Sequence, residues 1–206
     1  MKTWCRLAAP LFATAQLSTT VLAQSNPGWI IEVVGGPVSP SNPSVQVKVS
    51  AFFTPVTSSF AFGAGRFDVV STDANGQFGN LTVGAGLVQS CTQGSQLGVS
   101  NANGGVTDVW IHQLNVLGCQ AVPTNPIEIW TATWTTSDFS PRQVQVSTLT
   151  TGYFQLFSHH GTPFPDIFFE PKDVIPGSAV IQVIPAPSGA LALLLTGAAL
   201  ATRRRI

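Results

Sequence analysis

Few residues in this 206-residue chain are of types that do chemistry. His159 and His160 sit side by side with Asp166 and Glu170 a short way on, which sketches a metal or acid–base cluster. Neighbouring residues of a strand face opposite ways, so both imidazoles do not easily reach one ion. Gly161-Thr162-Pro163 makes the stretch read as a polar loop. His112 lies in Val109-Trp110-Ile111-His112-Gln113-Leu114 and alternates with Trp110 and Leu114, as a structural histidine does. No serine is flanked as Gly-x-Ser-x-Gly, and Ser95 in Gln93-Gly94-Ser95-Gln96-Leu97-Gly98 has the wrong glycine spacing. Asp73-Ala74-Asn75-Gly76 brings its glycine too early for a helix–loop–helix calcium loop. Glycoside cleavage needs two carboxylates paired in space, and Glu32, Glu128 and Glu170 are a thin supply. The residues therefore point to no catalytic set, no metal and no cofactor. The chain reads as a non-enzyme, with an exported hydrolase the least supported alternative.

Aromatic and sulfur chemistry remain. In Ile127-Glu128-Ile129-Trp130-Thr131-Ala132-Thr133-Trp134-Thr135, strict alternation puts Ile127, Ile129, Thr131 and Thr133 on one face. Trp130 and Trp134 then share the other with Glu128 and Ala132, about 13 Å apart. Exposed, the two indoles would form a sugar-stacking platform, a role open to Trp110 as well. Buried, they would be core, and the more solvent-like threonine face weighs toward that. Cys91 and Cys119 are the cysteines left after removal of the first residues. In an exported domain such a pair is expected to form a disulfide, stabilising the fold by about 3.5 kcal/mol on a chain-entropy model. Asn80-Leu81-Thr82 matches the glycosylation sequon, which in a bacterium would be a coincidental match.

The elements that must carry these residues are strands. Val45, Val47, Val49, Ala51 and Phe53 alternate with Gln46, Lys48 and Ser50, the period of a half-buried strand. Further strands are expected at Trp29–Val34, Phe60–Phe62, Arg66–Ser71, Gly79–Val83, Val106–Leu114, Ile127–Thr135, Val144–Leu149, Tyr153–Phe157 and Ala179–Ile184. Turn clusters rich in Gly, Pro, Ser and Asn separate them, and Asn75-Gly76 is a pair favoured in tight hairpins. No stretch of the body keeps a helical period. The expectation is an all-β, antiparallel sandwich of the jelly-roll type over residues 24–184. From an early strand, a Pro/Ser turn, the alternating valine strand, Phe60-Ala61-Phe62 and Gly65-Arg66-Phe67-Asp68-Val69, the start of this body looks like cohesin-type or carbohydrate-binding-module-like sandwiches.

Charge is scarce, at 9% of residues against 44% hydrophobic, and the formal net charge is zero. Lys2 and Arg6 lie at one end and Arg203, Arg204 and Arg205 at the other. Between Gln24 and Pro187 remain Lys48, Arg66, Arg142 and Lys172 with all nine acids, a formal charge of −5. No basic stripe offers itself to a phosphate backbone, so nucleic acid is excluded as a partner.

The two ends read as addresses. Residues 1–23 resemble a secretory signal peptide: a basic start, an apolar run from Leu7, and small residues at Val21 and Ala23 before the expected cut. Residues 185–206 combine Pro185-Ala186-Pro187, an apolar run from Gly189 to Thr202, and Arg203–Arg205. As a helix the run spans about 21 Å, short against a bilayer core of roughly 30 Å. The arginines would stay on the cytoplasmic side. This three-part tail resembles the PEP-CTERM sorting signal of bacterial exported proteins, with Ala186 where that family has Glu. The resemblance implies an exosortase-like protease acting near Pro185-Ala186-Pro187. It further implies a Gram-negative-type cell, secretion machinery as a partner, transient membrane insertion, and association with the cell surface or exopolysaccharide. Together these readings favour a non-catalytic surface or matrix protein, with a carbohydrate-binding module as the alternative.

Overall fold

The structure is a computed structural model and describes residues 26–53, 60–114, 124–158 and 166–186. The expected signal peptide, Cys119, His159 and His160, Pro187, the apolar run and Arg203–Arg205 lie outside the described residues. Ten strands form two antiparallel sheets. They are β1 (Gly28–Val34), β2 (Ser44–Phe52), β3 (Phe60–Ser71), β4 (Gly76–Val83), β5 (Gln96–Ser100), β6 (Val106–His112), β7 (Ile127–Thr136), β8 (Arg142–Ser158), β9 (Ile167–Phe169) and β10 (Ser178–Val183). One sheet has the order β1-β2-β7-β4. The other runs β10-β8-β3-β6-β5, with β9 alongside β8. No helix among the described residues is long and apolar enough to cross a membrane.

Period-two alternation builds β2 as expected: Val45, Val47, Val49 and Ala51 are buried, with Gln46 exposed and Lys48 half-buried between them. Two strands are longer than their sequence signals. Phe60–Phe62 and Arg66–Ser71 are one strand, β3, because the intervening glycines make room for rings. A Cβ at Gly63 would lie 3.0 Å from the Phe157 ring, and one at Gly65 would lie 2.4 Å from Trp29. Likewise Gly152 does not break β8, since a Cβ there would stand 2.9 Å from Arg66 Cβ. A glycine inside a strand here marks close approach of a neighbour.

The Asn75-Gly76 pair is not a hairpin turn. β3 and β4 lie in different sheets, so Thr72–Asn75 carries the chain across the sandwich. Asp73 Oδ1 accepts the Asn75 N–H at 2.9 Å and fixes the crossing. The alternation along β7 also departs from strict parity. The β2–β7 register shifts at Val49/Ser50, where Val49 pairs Trp130 and Ser50 pairs Glu128. This bulge places Ile129 and Trp130 both inward. Ile127 and Ile129 face the core before it, and Trp130, Ala132, Trp134 and Thr136 after it. Glu128 is thereby on the outer face with Thr131 and Thr133, not with the tryptophans.

The core is an aromatic seam between the sheets. Trp29 meets Phe67 and Phe154 with ring centroids at 4.9 Å in each case. Phe62 meets Phe154 edge-on at 5.6 Å, and Trp130 meets Phe67 at 6.3 Å. Trp134 packs over Gly76, where a Cβ would lie 2.1 Å from the indole. Gly76→Ala is therefore expected to lower stability by about 1–3 kcal/mol through overpacking. Urea unfolding followed by tryptophan fluorescence checks this, and an unmoved midpoint would show that the indole relocates without cost.

Candidate functional site

The sequence-predicted residues do not converge on one centre. Trp130 and Trp134 are both fully buried, so the sugar-stacking platform is corrected: these indoles are core. Trp130 Nε1 donates to the Leu97 carbonyl at 3.0 Å, joining the two sheets. Trp110 is only partly buried and stacks on His112 at 4.8 Å, on the outer face of β6. Asp166 is engaged locally, accepting the Ser158 N–H at 3.1 Å and the Gln155 amide at 3.3 Å. Glu170 pairs with Lys172 at 2.8 Å in the open. Among the described residues no group of three His, Cys, Asp or Glu is placed to hold a metal ion. Cys91 is fully buried and is not a free thiol; its expected partner Cys119 lies outside the described residues. Pro185 and Ala186 are exposed and follow the last ladder residue, Val183.

What the fold does assemble is an exposed apolar face. On β8, Val144 and Val146 set an inward parity that continues through Thr148 and Thr150. Both hydroxyls accept core bonds: Thr148 from the Gly177 N–H at 2.8 Å, and Thr150 from Trp29 Nε1 at 2.8 Å. Leu149 between them is forced outward and is 56% exposed. It lies opposite Asp68 on β3, whose next outward residue, Val70, is 45% exposed. Val180 on β10, opposite Gln145, is 51% exposed. Further along β8, Tyr153 meets the exposed Phe168 of β9 edge-on at 5.9 Å. Sequence patterning missed this face. The signal was there in Thr148-Leu149-Thr150, where parity from Val144 puts the leucine out and the threonines in.

This face carries one of the two non-glycine residues with positive φ among the described residues. Asp108 on β6 has φ 60°, in the left-handed region, beside the register shift between Phe67 and Val69. Its N–H donates to Asp68 Oδ1 at 2.9 Å, and its carboxylate takes Arg66 Nη2 at 2.7 Å. Arg66, Gln96, Leu97, Gly98, Val99 and Asp108 line an open depression of about 380 Å³ at the β5 edge. Non-glycine residues held at positive φ concentrate at functional surfaces.

The outer face of the other sheet is polar along β4 and β7, with Ile30 and Val34 exposed on β1. Thr82 and Thr131 share a hydroxyl hydrogen bond at 2.6 Å, and Asn80 of the sequon sits at φ 49° on the β4 edge. Lys48 Nζ donates to Glu128 Oε2 at 2.9 Å. The hydrogen bond and charge of Glu128 hold the Lys48 ammonium above its ordinary pKa. Burial alone would raise the Glu128 carboxyl. The Ala85 N–H and Lys48 outweigh that burial and hold it below the usual value.

No family model matches the chain, and no curated protein matches it. Among solved structures it is similar to a cohesin module from a Clostridium perfringens family 33 glycoside hydrolase. That likeness has 8% identity and a TM-score of 0.50, and covers 79% of this chain and 99% of that chain. It is also similar to the seventh ScaB type I cohesin of Pseudobacteroides cellulosolvens, with 16% identity over 77% of this chain and 96% of that one and a TM-score of 0.49. A third is a ScaC cohesin of Acetivibrio cellulolyticus solved with a ScaB dockerin, at 16% identity over 75% and 99%, TM-score 0.48. The first likeness shows the fold: an all-β, antiparallel sandwich of the cohesin type.

The Glu128 environment makes one titration testable. A carboxyl held low in the folded state stabilises fully above its unfolded pKa of about 4.3, and that stabilisation is lost as pH falls through the folded value. Glu128→Gln is expected to lower stability by about 1 kcal/mol at pH 7. The gap between its urea midpoint and that of the natural chain should shrink as pH falls below about 4.3, and a pH-independent gap would contradict the assignment.

Proposed function

We propose that this chain is an exported, non-catalytic β-sandwich that holds a protein partner at the cell surface through the outer face of β10-β8-β3-β6-β5. The observation that carries the reading is the apolar group Val70, Leu149 and Val180 beside the left-handed Asp108. Exposed apolar residues gathered on one face mark an interaction surface. The depression lined by Arg66 and Asp108 supplies a polar rim to that surface. Residues 1–23 address the chain to the secretion machinery, and residues 185–206 to an exosortase-like protease after transient insertion of the apolar run. Exopolysaccharide of a Gram-negative-type cell surface is the surrounding the tail implies. The fold supports such processing. Ile184 N–H still donates to the Val38 carbonyl at 2.8 Å, whereas Pro185 and Ala186 stand outside every ladder. A cut there would leave the sandwich whole.

Two measurements test this. Leu149→Asp together with Val70→Asp should leave the near-ultraviolet circular dichroism unchanged and shift the protein from cell surface to medium. The same charge at Thr133, on the opposite face, should not. Equal retention of both variants would remove the binding face. Mass spectrometry of the surface-associated protein should find a C-terminus within residues 185–187 and Cys91 bonded to Cys119. An intact Ile206, or two reactive thiols in unreduced denatured protein, would refute the corresponding part.

A further inference from the structure

We propose that the end of the sandwich at which β10 finishes is a lipid-facing surface, held against the headgroups of a bilayer while the tail is inserted. The inference rests on the reading of residues 189–202 as a membrane segment and adds which part of the body meets the lipid.

Reach comes first. Ile184 is fixed to the body through Val38, whose own N–H donates to the Gln182 carbonyl at 2.8 Å. Only Pro185, Ala186, Pro187 and Ser188 separate Ile184 from Gly189 in the sequence. Four residues span at most about 14 Å fully extended. Each headgroup layer is about 5–8 Å deep. A body tethered so closely stays within about 9 Å of the headgroup layer, and the end holding Ile184 is the end that faces it.

The register defines that end. Val183 pairs Arg142, Val34 pairs Gln46, Ser44 pairs Thr135, and Gly76 pairs Thr136. The connections there are residues 35–43, 72–75 and 137–141. Residues 101–105 join them, since Gly104 packs on the Asp73 carbonyl.

Charge is the second argument. In these four connections the only charged residues are Asp73 and Asp138. Both are occupied inside the protein. Arg142 reaches Asp73 Oδ2 through Nε at 3.0 Å and Nη2 at 2.7 Å, and its Nη1 lies 3.5 Å from Asp138 Oδ2. Asp138 Oδ1 also takes the Ser140 N–H at 2.9 Å and hydroxyl at 2.6 Å. Residues 35–43, nearest the tail exit, read Gly-Gly-Pro-Val-Ser-Pro-Ser-Asn-Pro and carry no charge at all. Asp166, Glu170 and Lys172 are on the opposite end, with Ile175, which pairs Gly28 at the start of β1, and Glu32 and Asp108 are exposed on the strands between the two ends. An acidic body would otherwise be pushed from an anionic headgroup layer. This one presents an end whose two acids share the Arg142 guanidinium.

The test uses the full chain bound to phosphatidylcholine vesicles and a membrane-impermeant amine acylating reagent. Ser41→Lys places a reactive amine on the tail-exit end, and Lys172 is the internal reference at the far end. The amine introduced at position 41 should be acylated several-fold more slowly than Lys172. Inserting twenty Gly/Ser residues between Ala186 and Pro187 should relieve that protection. Protection that survives the longer tether would overturn the reach argument, because the four-residue link would then not be what holds this end to the bilayer. Equal labelling of both amines on vesicle-bound natural-length chain would overturn the proposal while leaving the tail reading intact. A chain that fails to float with the vesicles would overturn the tail reading, and this inference with it.

Discussion

The aromatic seam between the two sheets is the constraint on which the rest of the fold depends. Three indoles enter from one sheet, and the other must leave room for them. Trp29 demands Gly65 on β3, and both Trp29 and Trp130 spend their N–H on the opposite sheet, at Thr150 and Leu97. Buried donors need partners in a low-dielectric core, so these two bonds fix which residues of β5 and β8 face inward. Thr150 is inward because Trp29 requires an acceptor there. Leu149 is outward as a consequence. The apolar face proposed for partner binding is thus set by the polar needs of the core beneath it.

A second fixed point closes one end. Arg142 opens β8 and gathers Asp73 from the crossing between β3 and β4, the Thr136 hydroxyl from the end of β7, and the Asp138 and Ser140 carbonyls. The guanidinium fork donates to acceptors on several segments of the chain at once, in a fixed geometry that an ammonium of the same charge lacks. Asp73 is nearly buried, with its side chain 10% exposed. Removing its partner would leave an uncompensated carboxylate, the costly form of a broken pair. Four chain segments therefore share one organising charge, and that end needs no other.

The sandwich class was legible because alternation in β2 is unbroken and no helical period competes with it. Burial of Val45, Val47 and Val49 follows directly. The departures have local causes. Gly63, Gly65 and Gly152 read as breaks in sequence, yet serve as clearances for Phe157, Trp29 and Arg66 within continuous strands. The bulge opposite Val49 and Ser50 reverses parity midway along β7, so strict alternation misassigned Glu128 to the tryptophan face. Asn75-Gly76 has the chemistry of a hairpin, but turn chemistry is local and does not say which sheet the next strand joins. β5 and β9 are short, and Gly98 at φ 87° interrupts the first, so neither rises above its surroundings as a pattern. The candidate face was hidden for a different reason: it is built from one outward residue on each of several strands, and only the register brings them together.

The edges show how such a sheet pair stays solitary while keeping one face open. Unpaired edge strands invite pairing with other chains. β4 carries Asn80 and β5 carries Gly98 in left-handed conformations, which break the run of edge hydrogen-bonding groups. β1 and β10 are edges of different sheets; Gly28 of β1 bridges Ile175 ahead of β10, and Val183 of β10 bridges Val38 just after β1. Each edge is thus interrupted or covered by the protein's own chain. Association through strand addition is suppressed, and the outward side chains of β3, β8 and β10 become the surface on which selection for a partner can act. The bridge at Val38 has a further consequence. It holds β10 in place up to Ile184, so the hydrogen-bonded edge closes just before Pro185.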